Sequence, residues 1–137
     1  MFLRIDPADG LPIYDQIVRQ IKFAVARKAL VLGDRVASVR ELARELAINP
    51  NTVARAYQQL QAEGILSNVR GLGLEVAAGA LDTCRQDRRK LIQARVRQVL
   101  TEAQQSGLED DELRKLLDRE LSIAQRKGKA NVGSDSA

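Results

Sequence analysis

The fold is decided by the stretch from Ser38 to Gly73, which reads SVRELARELAINPNTVARAYQQLQAEGILSNVRGLG. Its first four residues have the pattern of a capping box, in which the Ser38 hydroxyl accepts a hydrogen bond from the backbone N–H of Glu41. After a short turn, Asn49-Pro50 supplies the residue types preferred at the N-cap and first position of a helix. Gly64 is typical of a helix end. The pattern therefore predicts two helices separated by a tight turn.

A short hairpin is predicted after the second of these helices. Ile65-Leu66 and Leu74–Ala77 are apolar enough for two strands, and Gly71 and Gly73 permit positive backbone dihedrals at the tip between them. Helix, turn, helix and hairpin in this order are the pattern of a winged helix-turn-helix, a module that lays one helix in the major groove of DNA. The predicted fold class is mainly α with a small β-hairpin.

An earlier helix is predicted to complete this domain. It begins near Pro12, since a proline at the first helical position costs nothing there. Its apolar residues recur at three- and four-residue steps, and they are Tyr14, Ile17, Ile21, Ala24 and Val25. A turn at Gly33-Asp34 leads to Arg35-Val36-Ala37, which is short enough to be a single edge strand. We therefore expect residues 8–80 to form one winged helix-turn-helix domain.

The remainder of the chain predicts a segment of two helices. A helical pattern from Asp82 is interrupted by Gly107, and a leucine-faced helix follows from Asp110 to about Ala124. Because these helices cannot bury all of their apolar surface within so short a chain, we expect residues 81–125 to form a dimerisation element. The alternative is that they fold back onto their own winged helix. Residues 126–137 are polar and small, and the prediction for them is a disordered tail.

The composition removes most kinds of catalytic chemistry. The 137 residues include no histidine and one cysteine, Cys84, which excludes imidazole acid-base schemes, catalytic triads and most zinc sites. The acidic residues sit mostly at helical surface spacing beside Arg or Lys, as on solvated faces. We therefore expect neither enzymatic activity nor a cofactor or metal. No apolar run is long enough to span a membrane and the first residues lack a signal-peptide pattern, so the expected location is the cytoplasm.

Acidic residues are absent from the third predicted helix and from the hairpin tip. None occurs between Glu45 and Glu63, or between Glu63 and Glu75. A surface that faces a phosphate backbone is expected to show such a gap, because phosphates repel carboxylates. Positive charge around the gap comes from Arg40, Arg44, Arg55 and Arg70. The alternative interpretation is a neutral polar helix exposed to water.

The outward side chains of the third helix have the chemistry of base recognition, and they are Asn51, Thr52, Arg55, Gln58 and Gln59. Asn and Gln pair with adenine, Arg pairs with guanine, and Thr contacts bases or phosphate. The first turn, residues 49–52, is expected to point free N–H groups outward as a phosphate anchor. Arg40, near the start of the second helix, is expected to reach a phosphate or a guanine.

Many residues in this order match one known family. They are Pro12–Ile17, Gly33–Arg35, Ser38–Ala43, Asn49–Tyr57, Leu60 and Glu63-Gly64. On these matches, residues 12–77 resemble the DNA-binding domain of the GntR family of bacterial transcription regulators. The short two-helix tail is similar to that of the YtrA-type subfamily. That resemblance implies a C-terminal dimerisation element with no large effector pocket.

The resemblance also implies roles for individual residues. It places DNA contacts at Arg40, at the start of the recognition helix and at the wing-tip glycine. We expect a DNA-binding set made up of Ser38, Arg40, Asn49, Asn51, Thr52, Arg55, Gln58, Arg70 and Gly71. Three positions depart from the family pattern. Ala37 replaces a proline, Ala47 replaces a glycine, and Leu72 replaces a basic residue, so the expected wing contact shifts to Arg70.

The predicted function is sequence-specific transcriptional regulation. We expect a repressor that binds double-stranded DNA at an inverted-repeat operator as a homodimer, while a small-molecule effector is left open. The alternative is a winged helix used for protein association or for non-specific, architectural binding of nucleic acid. The basic residues between 85 and 97 are either a solvated face or a second surface that flanks the DNA backbone.

Overall fold

The structure is a computed structural model that describes the backbone of residues 3–135 and the side chains of residues 3–128. Its elements in chain order are α1 Ile13–Ala26, α2 Val39–Leu46, α3 Pro50–Ala62, β1 Leu66–Val69, β2 Gly73–Val76, α4 Ala80–Ser106 and α5 Asp110–Asp135. The two strands form one antiparallel hairpin. The predicted fold class, mainly α with a small hairpin, is confirmed.

An aliphatic core holds α3 against α1 and α2. Ile17 and Ile21 of α1, Leu42 of α2, and Val53 and Leu60 of α3 are all 0% exposed. Each such side chain contributes about 1.5–3 kcal/mol when it leaves water. Three helices share this core. Because the apolar face of α3 is buried in it, the position of α3 is fixed and its polar face points away from the core.

Side chains at two helix starts satisfy backbone donors as predicted. The Ser38 hydroxyl accepts from the N–H of Glu41 at 3.1 Å, and the Asn49 side-chain oxygen accepts from the N–H of Asn51 at 2.9 Å. Pro50 occupies the first position of α3. A cap of this kind is worth about 1 kcal/mol to a helix. The start of each helix in the helix-turn-helix is therefore specified by local sequence.

The turn between α2 and α3 depends on a left-handed residue. Ala47 has φ 54° and ψ 47°, and the N–H of Ile48 donates to the carbonyl of Ala43 at 3.0 Å to close the turn. Glycine is the residue normally found in this conformation, because an L side chain strains it. Ala47 is therefore a strained residue at the corner of the motif.

The hairpin is tighter than the sequence predicted. Leu66 pairs with Val76 and Val69 pairs with Gly73, so only Arg70-Gly71-Leu72 remains between the strands. The predicted edge strand at residues 35–37 is reduced to one bridge between Arg35 and Glu75. The N–H of Val36 donates to the carbonyl of Leu74 at 3.0 Å. The segment turns into α2 at Ser38, which leaves no length for a longer ladder.

The chain divides into two compact units, one up to Ile92 and one from Gln93. The sequence predicted that the winged-helix domain ends at residue 80, and the first compact unit extends about three turns of α4 further. Ala80 and Cys84 are 0% exposed within the core of the first unit. Arg85 donates from Nε to the carbonyl of Ala26 at 3.1 Å. The first turns of α4 therefore belong to the first unit.

The second unit consists of the rest of α4 and α5, joined at Gly107. Gly107 has φ 79°, and the N–H of Leu108 donates to the carbonyl of Ala103 at 3.1 Å. Among residues 93–128, Ala103 is the one buried residue. The structure continues α5 to Asp135, whereas the sequence predicted a disordered tail from residue 126. The segment contains no proline, and its Arg, Lys and Ala residues favour a helix, whereas Gly128 and Gly133 each cost about 1 kcal/mol there. Residues 136 and 137 lie outside the described range.

Candidate nucleic-acid interface

Helix α3 presents a polar stripe opposite its buried face. Val53, Ala56, Tyr57 and Leu60 point inward, with at most 2% exposure. Asn51, Arg55 and Gln58, spaced four and three residues apart, lie together on the other side and are exposed. Thr52 and Gln59 flank the stripe and are half-buried. The structure therefore brings together the base-reading side chains that the sequence predicted on this helix.

The acidic residue that ends the gap forms an ion pair within the protein. Glu63 lies 2.8 Å from the ammonium of Lys22, which also contacts Asp87 at 3.1 Å. Burial alone would lower the pKa of Lys22, but hydrogen bonds and opposite charge from Glu63 and Asp87 outweigh it and raise that pKa. Lys22 therefore remains a cation at physiological pH and offsets negative charge at the end of α3.

Helix α2 separates its charges into two edges. Arg40 and Arg44 are four residues apart and share one edge, while Glu41 and Glu45 share the next. Burial raises the pKa of the Tyr57 hydroxyl, and the charges of Glu45 and Glu41 raise it further. The two carboxylates therefore influence the ionisation of the Tyr57 hydroxyl. The arginine edge carries the positive charge of this helix.

The amino-terminal turn of α3 differs from the sequence prediction. Free N–H groups were expected there as a phosphate anchor, but Pro50 has none. The N–H of Asn51 is taken by the Asn49 side chain at 2.9 Å, and that of Thr52 donates to the Asn49 carbonyl at 3.0 Å. The remaining donors of this turn include the side-chain amides of Asn49 and Asn51 and the hydroxyl of Thr52. The expected backbone anchor is therefore reduced at this turn, because two of its N–H groups are bonded within the protein.

The start of α2 has the spare backbone donors instead. Ser38 caps the N–H of Glu41, while the N–H groups of Val39 and Arg40 have no backbone or side-chain acceptor within residues 3–128. Ser38 and Arg40 are both exposed. The serine hydroxyl accepts from Glu41 and still has a proton to donate. Positive potential at a helix start adds to the charge of Arg40.

The wing tip is short and exposed. Arg70, Gly71 and Leu72 all face solvent, and Leu72 is 53% exposed despite being apolar. Gly71 has φ 77°, a conformation that a side chain would strain. The N–H of Leu72 closes the turn on the carbonyl of Val69 at 2.8 Å. Arg70 is the one charged side chain at this tip.

Arg55 has a partner that sequence reasoning missed. Its guanidinium carbon lies 3.7 Å from the centroid of the Tyr14 ring in α1. The sequence assigned Tyr14 to the buried stripe of α1, whereas the structure leaves it half-buried. No signal within α3 indicates this contact, because the two residues are 41 positions apart. The stack joins the first helix of the domain to the recognition helix.

The described residues offer few alternatives to a nucleic-acid surface. Within the described part of the chain, no group of His, Cys, Asp and Glu side chains is arranged to hold a metal ion. No helix among the described residues is both long and apolar enough to cross a membrane. Cys84 is a buried free thiol. The polar and basic surface of the helix-turn-helix and wing is the site with the clearest chemistry.

Known proteins share both the sequence and the architecture of this chain. The sequence profile described as "Bacterial regulatory proteins, gntR family" matches residues 13–76. The chain is 35% identical over 129 residues to the HTH-type transcriptional repressor YtrA of Bacillus subtilis (strain 168), an alignment that covers 94% of this chain and 98% of that one. The match therefore includes the tail as well as the winged helix.

Solved structures give the same result. A transcriptional regulator from Oenococcus oeni superposes with a TM-score of 0.70 at 31% identity, covering 88% of this chain and 99% of that one. YtrA from Sulfolobus acidocaldarius, described as a GntR-family transcription factor, superposes with a TM-score of 0.56 at 31% identity, covering 74% and 99%.

Proposed function

The chain belongs to the GntR family of DNA-binding transcription regulators, which are not enzymes, and from this membership we propose that it is a repressor that binds an inverted-repeat operator as a homodimer. Its reading surface consists of the α2 start, the exposed stripe of α3 and the wing tip. The residues assigned to that surface are Ser38, Arg40, Asn49, Asn51, Thr52, Arg55, Gln58, Arg70 and Gly71.

One observation carries the assignment of this surface. The stripe formed by Asn51, Arg55 and Gln58 is exposed, and no carboxylate lies in the sequence between Glu45 and Glu63. Glu63 itself is paired with Lys22 at 2.8 Å. A helix with amide and guanidinium side chains and no negative charge suits the major groove, where bases offer paired acceptors and donors between phosphates.

Repression and operator symmetry follow from two further considerations. The relative that aligns along 94% of this chain is named a transcriptional repressor. A single winged helix contacts few bases, and each good base contact contributes only about 1–3 kcal/mol of discrimination. A two-fold dimer doubles those contacts and requires an inverted repeat. In the proposed mode of repression, the dimer occupies this operator and blocks the promoter.

The apolar surface of the second unit supports the dimer. Leu116, Leu117 and Leu121 of α5 are between 47% and 59% exposed, although they form a leucine face. Val96, Val99 and Leu100 make a similar stripe on the end of α4, and each is more than 40% exposed. Exposed apolar stripes on two successive helices favour burial against a second copy. The proposed dimerisation element is therefore residues 93–125, shorter at its start than the 81–125 expected from sequence.

The proposal is tested by binding to DNA from upstream of the protein's own gene. A footprint there should show a symmetric protected site, and affinity should fall steeply with salt. Arg40→Ala and Asn51→Ala should each reduce the preference for this site over random duplex by at least about 5-fold, the factor expected for one base contact. Gln61→Ala is the matched control, since Gln61 is exposed near the end of α3, about 80° of helical rotation from Asn51.

The result also separates the competing functions. If Arg40→Ala and Asn51→Ala discriminate the site from random duplex as well as the unmodified protein does, the assigned reading surface is wrong. Tight binding with no sequence preference would select an architectural nucleic-acid protein. Weak binding that barely responds to salt would select a module for protein association.

A further inference from the structure

The contact between Arg55 and Tyr14 links the recognition helix to a helix outside the helix-turn-helix. The guanidinium carbon lies 3.7 Å from the ring centroid, where the negative face of the ring attracts a cation. No carboxylate among the described side chains forms an ion pair with Arg55. The orientation of this arginine is therefore set by an aromatic face and by no competing acid.

The Tyr14 ring is a fixed platform. It is half-buried and packs against the hydrophobic core of the first unit. Two residues later, Gln16 is 5% exposed and donates to the carbonyls of Asp6 and Leu11, both at 2.9 Å. It also accepts from the N–H of Asp6 at 2.9 Å. These bonds tie the preceding segment to the start of α1 and so hold the backbone that carries the ring.

A stacked guanidinium keeps its hydrogen-bonding edge free. Stacking uses the face of the planar group, while its five N–H donors lie in the plane. A guanine accepts two parallel hydrogen bonds from such an edge. Asn51 lies one helical turn before Arg55 on the same exposed stripe. A long side chain that is already ordered loses less conformational freedom when it binds.

We propose that Tyr14 is a positioning residue for Arg55, and that the stacked Arg55 determines the preference for a guanine in each operator half-site. This inference rests on the proposed function and deepens it. It assigns one base to one side chain, and it extends the determinants of specificity to a residue of α1.

The experiment uses a double-mutant cycle on the full-length protein. The unmodified protein first selects a preferred duplex from a random-sequence library. Binding is then measured for that duplex, for versions with each guanine replaced, and for random duplex of equal length. The variants are Arg55→Ala, Arg55→Lys, Tyr14→Leu, Tyr14→Phe and the double variant Tyr14→Leu with Arg55→Ala. Tyr14→Phe is the matched control, because it keeps the ring and removes only the hydroxyl.

Each half-site is expected to contain one guanine whose recognition depends on Arg55. Arg55→Ala lowers the preference for that guanine by about 5- to 150-fold, the range expected for an arginine that makes two hydrogen bonds to one base. Arg55→Lys loses most of that preference but keeps affinity for random duplex, because an ammonium retains charge without the planar fork. Tyr14→Leu loses the same guanine preference, Tyr14→Phe keeps it, and the double variant is no worse than Arg55→Ala.

Three outcomes overturn the inference and leave the proposed function standing. They are a guanine preference that survives Tyr14→Leu, effects of Tyr14→Leu and Arg55→Ala that multiply, and an Arg55→Ala variant whose base preferences are unchanged. A protein that selects no sequence at all overturns the proposed function itself. If Tyr14→Leu does not fold, NMR of the unmodified protein provides the test instead. The Tyr14 ring should then shift the resonances of the Arg55 side-chain protons, and the absence of that ring-current shift would show that the stack does not form.

Discussion

Ala47 occupies a conformation that suits glycine. Its φ of 54° and ψ of 47° place it in the left-handed region, where an L-residue is strained by about 1–2 kcal/mol. Ala47→Gly should remove that strain, offset in part by the greater freedom of glycine in the unfolded chain. We expect the free energy of unfolding in urea to rise by about 0.5–1 kcal/mol.

The same substitution elsewhere provides the control for Ala47→Gly. Ala54 lies inside α3, so Ala54→Gly should lower the free energy of unfolding by roughly 1 kcal/mol. Opposite signs for the two substitutions are the expected pattern, and a loss of stability at both positions would refute strain at Ala47. The departure at Ala47 was visible in the sequence, whereas the left-handed Lys28, with φ 63°, was not, because no turn motif marks it.

Cys84 is predicted to be an inert structural thiol. It is 0% exposed, and burial raises its pKa from 9.0 to about 11, with Lys22 opposing that rise and Asp87 and Glu63 adding to it. A raised pKa in the folded state means that stability is present below pH 9 and is lost as pH rises towards about 11. The slope of that loss should approach 1.4 kcal/mol per pH unit, an order-of-magnitude value.

Two measurements check the thiol. Urea unfolding between pH 8 and pH 11 should show the decline, and Cys84→Ala should show a smaller one. At pH 8, Ellman's reagent should react with the thiol only as fast as the protein opens. Rapid labelling of the native protein would contradict the burial and would return Cys84 to consideration as a reactive group.

At the scale of elements, local signals predicted the helix-turn-helix well. Caps at Ser38 and Asn49 and the stop at Gly64 specify α2 and α3 because each acts within one helical turn. The strand at residues 35–37 was predicted too long, since pairing depends on a distant partner, Glu75. The backbone N–H groups of residues 49–52 were predicted to be free. The sequence does not show that Asn49 accepts hydrogen bonds from two of them, the N–H groups of Asn51 and Thr52.

The wing tip departs from the family pattern, because Leu72 occupies a position where a basic residue is usual. Leu72 lies beside Gly71 at the tip, and its side chain is 53% exposed. Leu72→Lys should add one phosphate contact, which would steepen the plot of log affinity against log salt by about 0.9. Affinity for random duplex should rise together with affinity for the preferred site, because a phosphate contact carries no sequence information.

Leu72→Gln is the matched variant for this test, since it makes the tip polar without adding charge. Its salt dependence should equal that of the unmodified protein. If Leu72→Lys also leaves the salt dependence unchanged, the wing tip does not approach the DNA backbone, and Arg70 would then have to be removed from the proposed surface.

At the scale of the whole molecule, the sequence was least informative about α4, because this one helix contributes residues to both compact units. Helix α4 runs from Ala80 to Ser106 without interruption, so no turn or helix end marks the division after Ile92. The burial of Ala80 and Cys84 depends on contacts with the core of the winged helix. A truncated winged-helix domain should therefore end after Ile92, because ending at residue 80 would remove part of its core.

The leucine face of α5 provides the test of assembly. Leu117 is 47% exposed on the stripe with Leu116, and in a dimer it would lose contact with water. Leu117→Glu would place a charge in that interface, so sedimentation should show monomers at concentrations where the unmodified protein is a dimer. Affinity for the inverted repeat should fall towards that for a single half-site, since the two winged helices would no longer be linked.

Ser122→Glu is the matched control for Leu117→Glu, because it introduces the same charge on the opposite side of α5. Ser122 is exposed, and about 180° of helical rotation separates it from the centre of the leucine face. This variant should remain a dimer with unchanged operator affinity. If both variants sediment like the unmodified protein, the second unit does not hold two copies together, and the doubled contacts required for operator specificity must come from another surface of the winged helix.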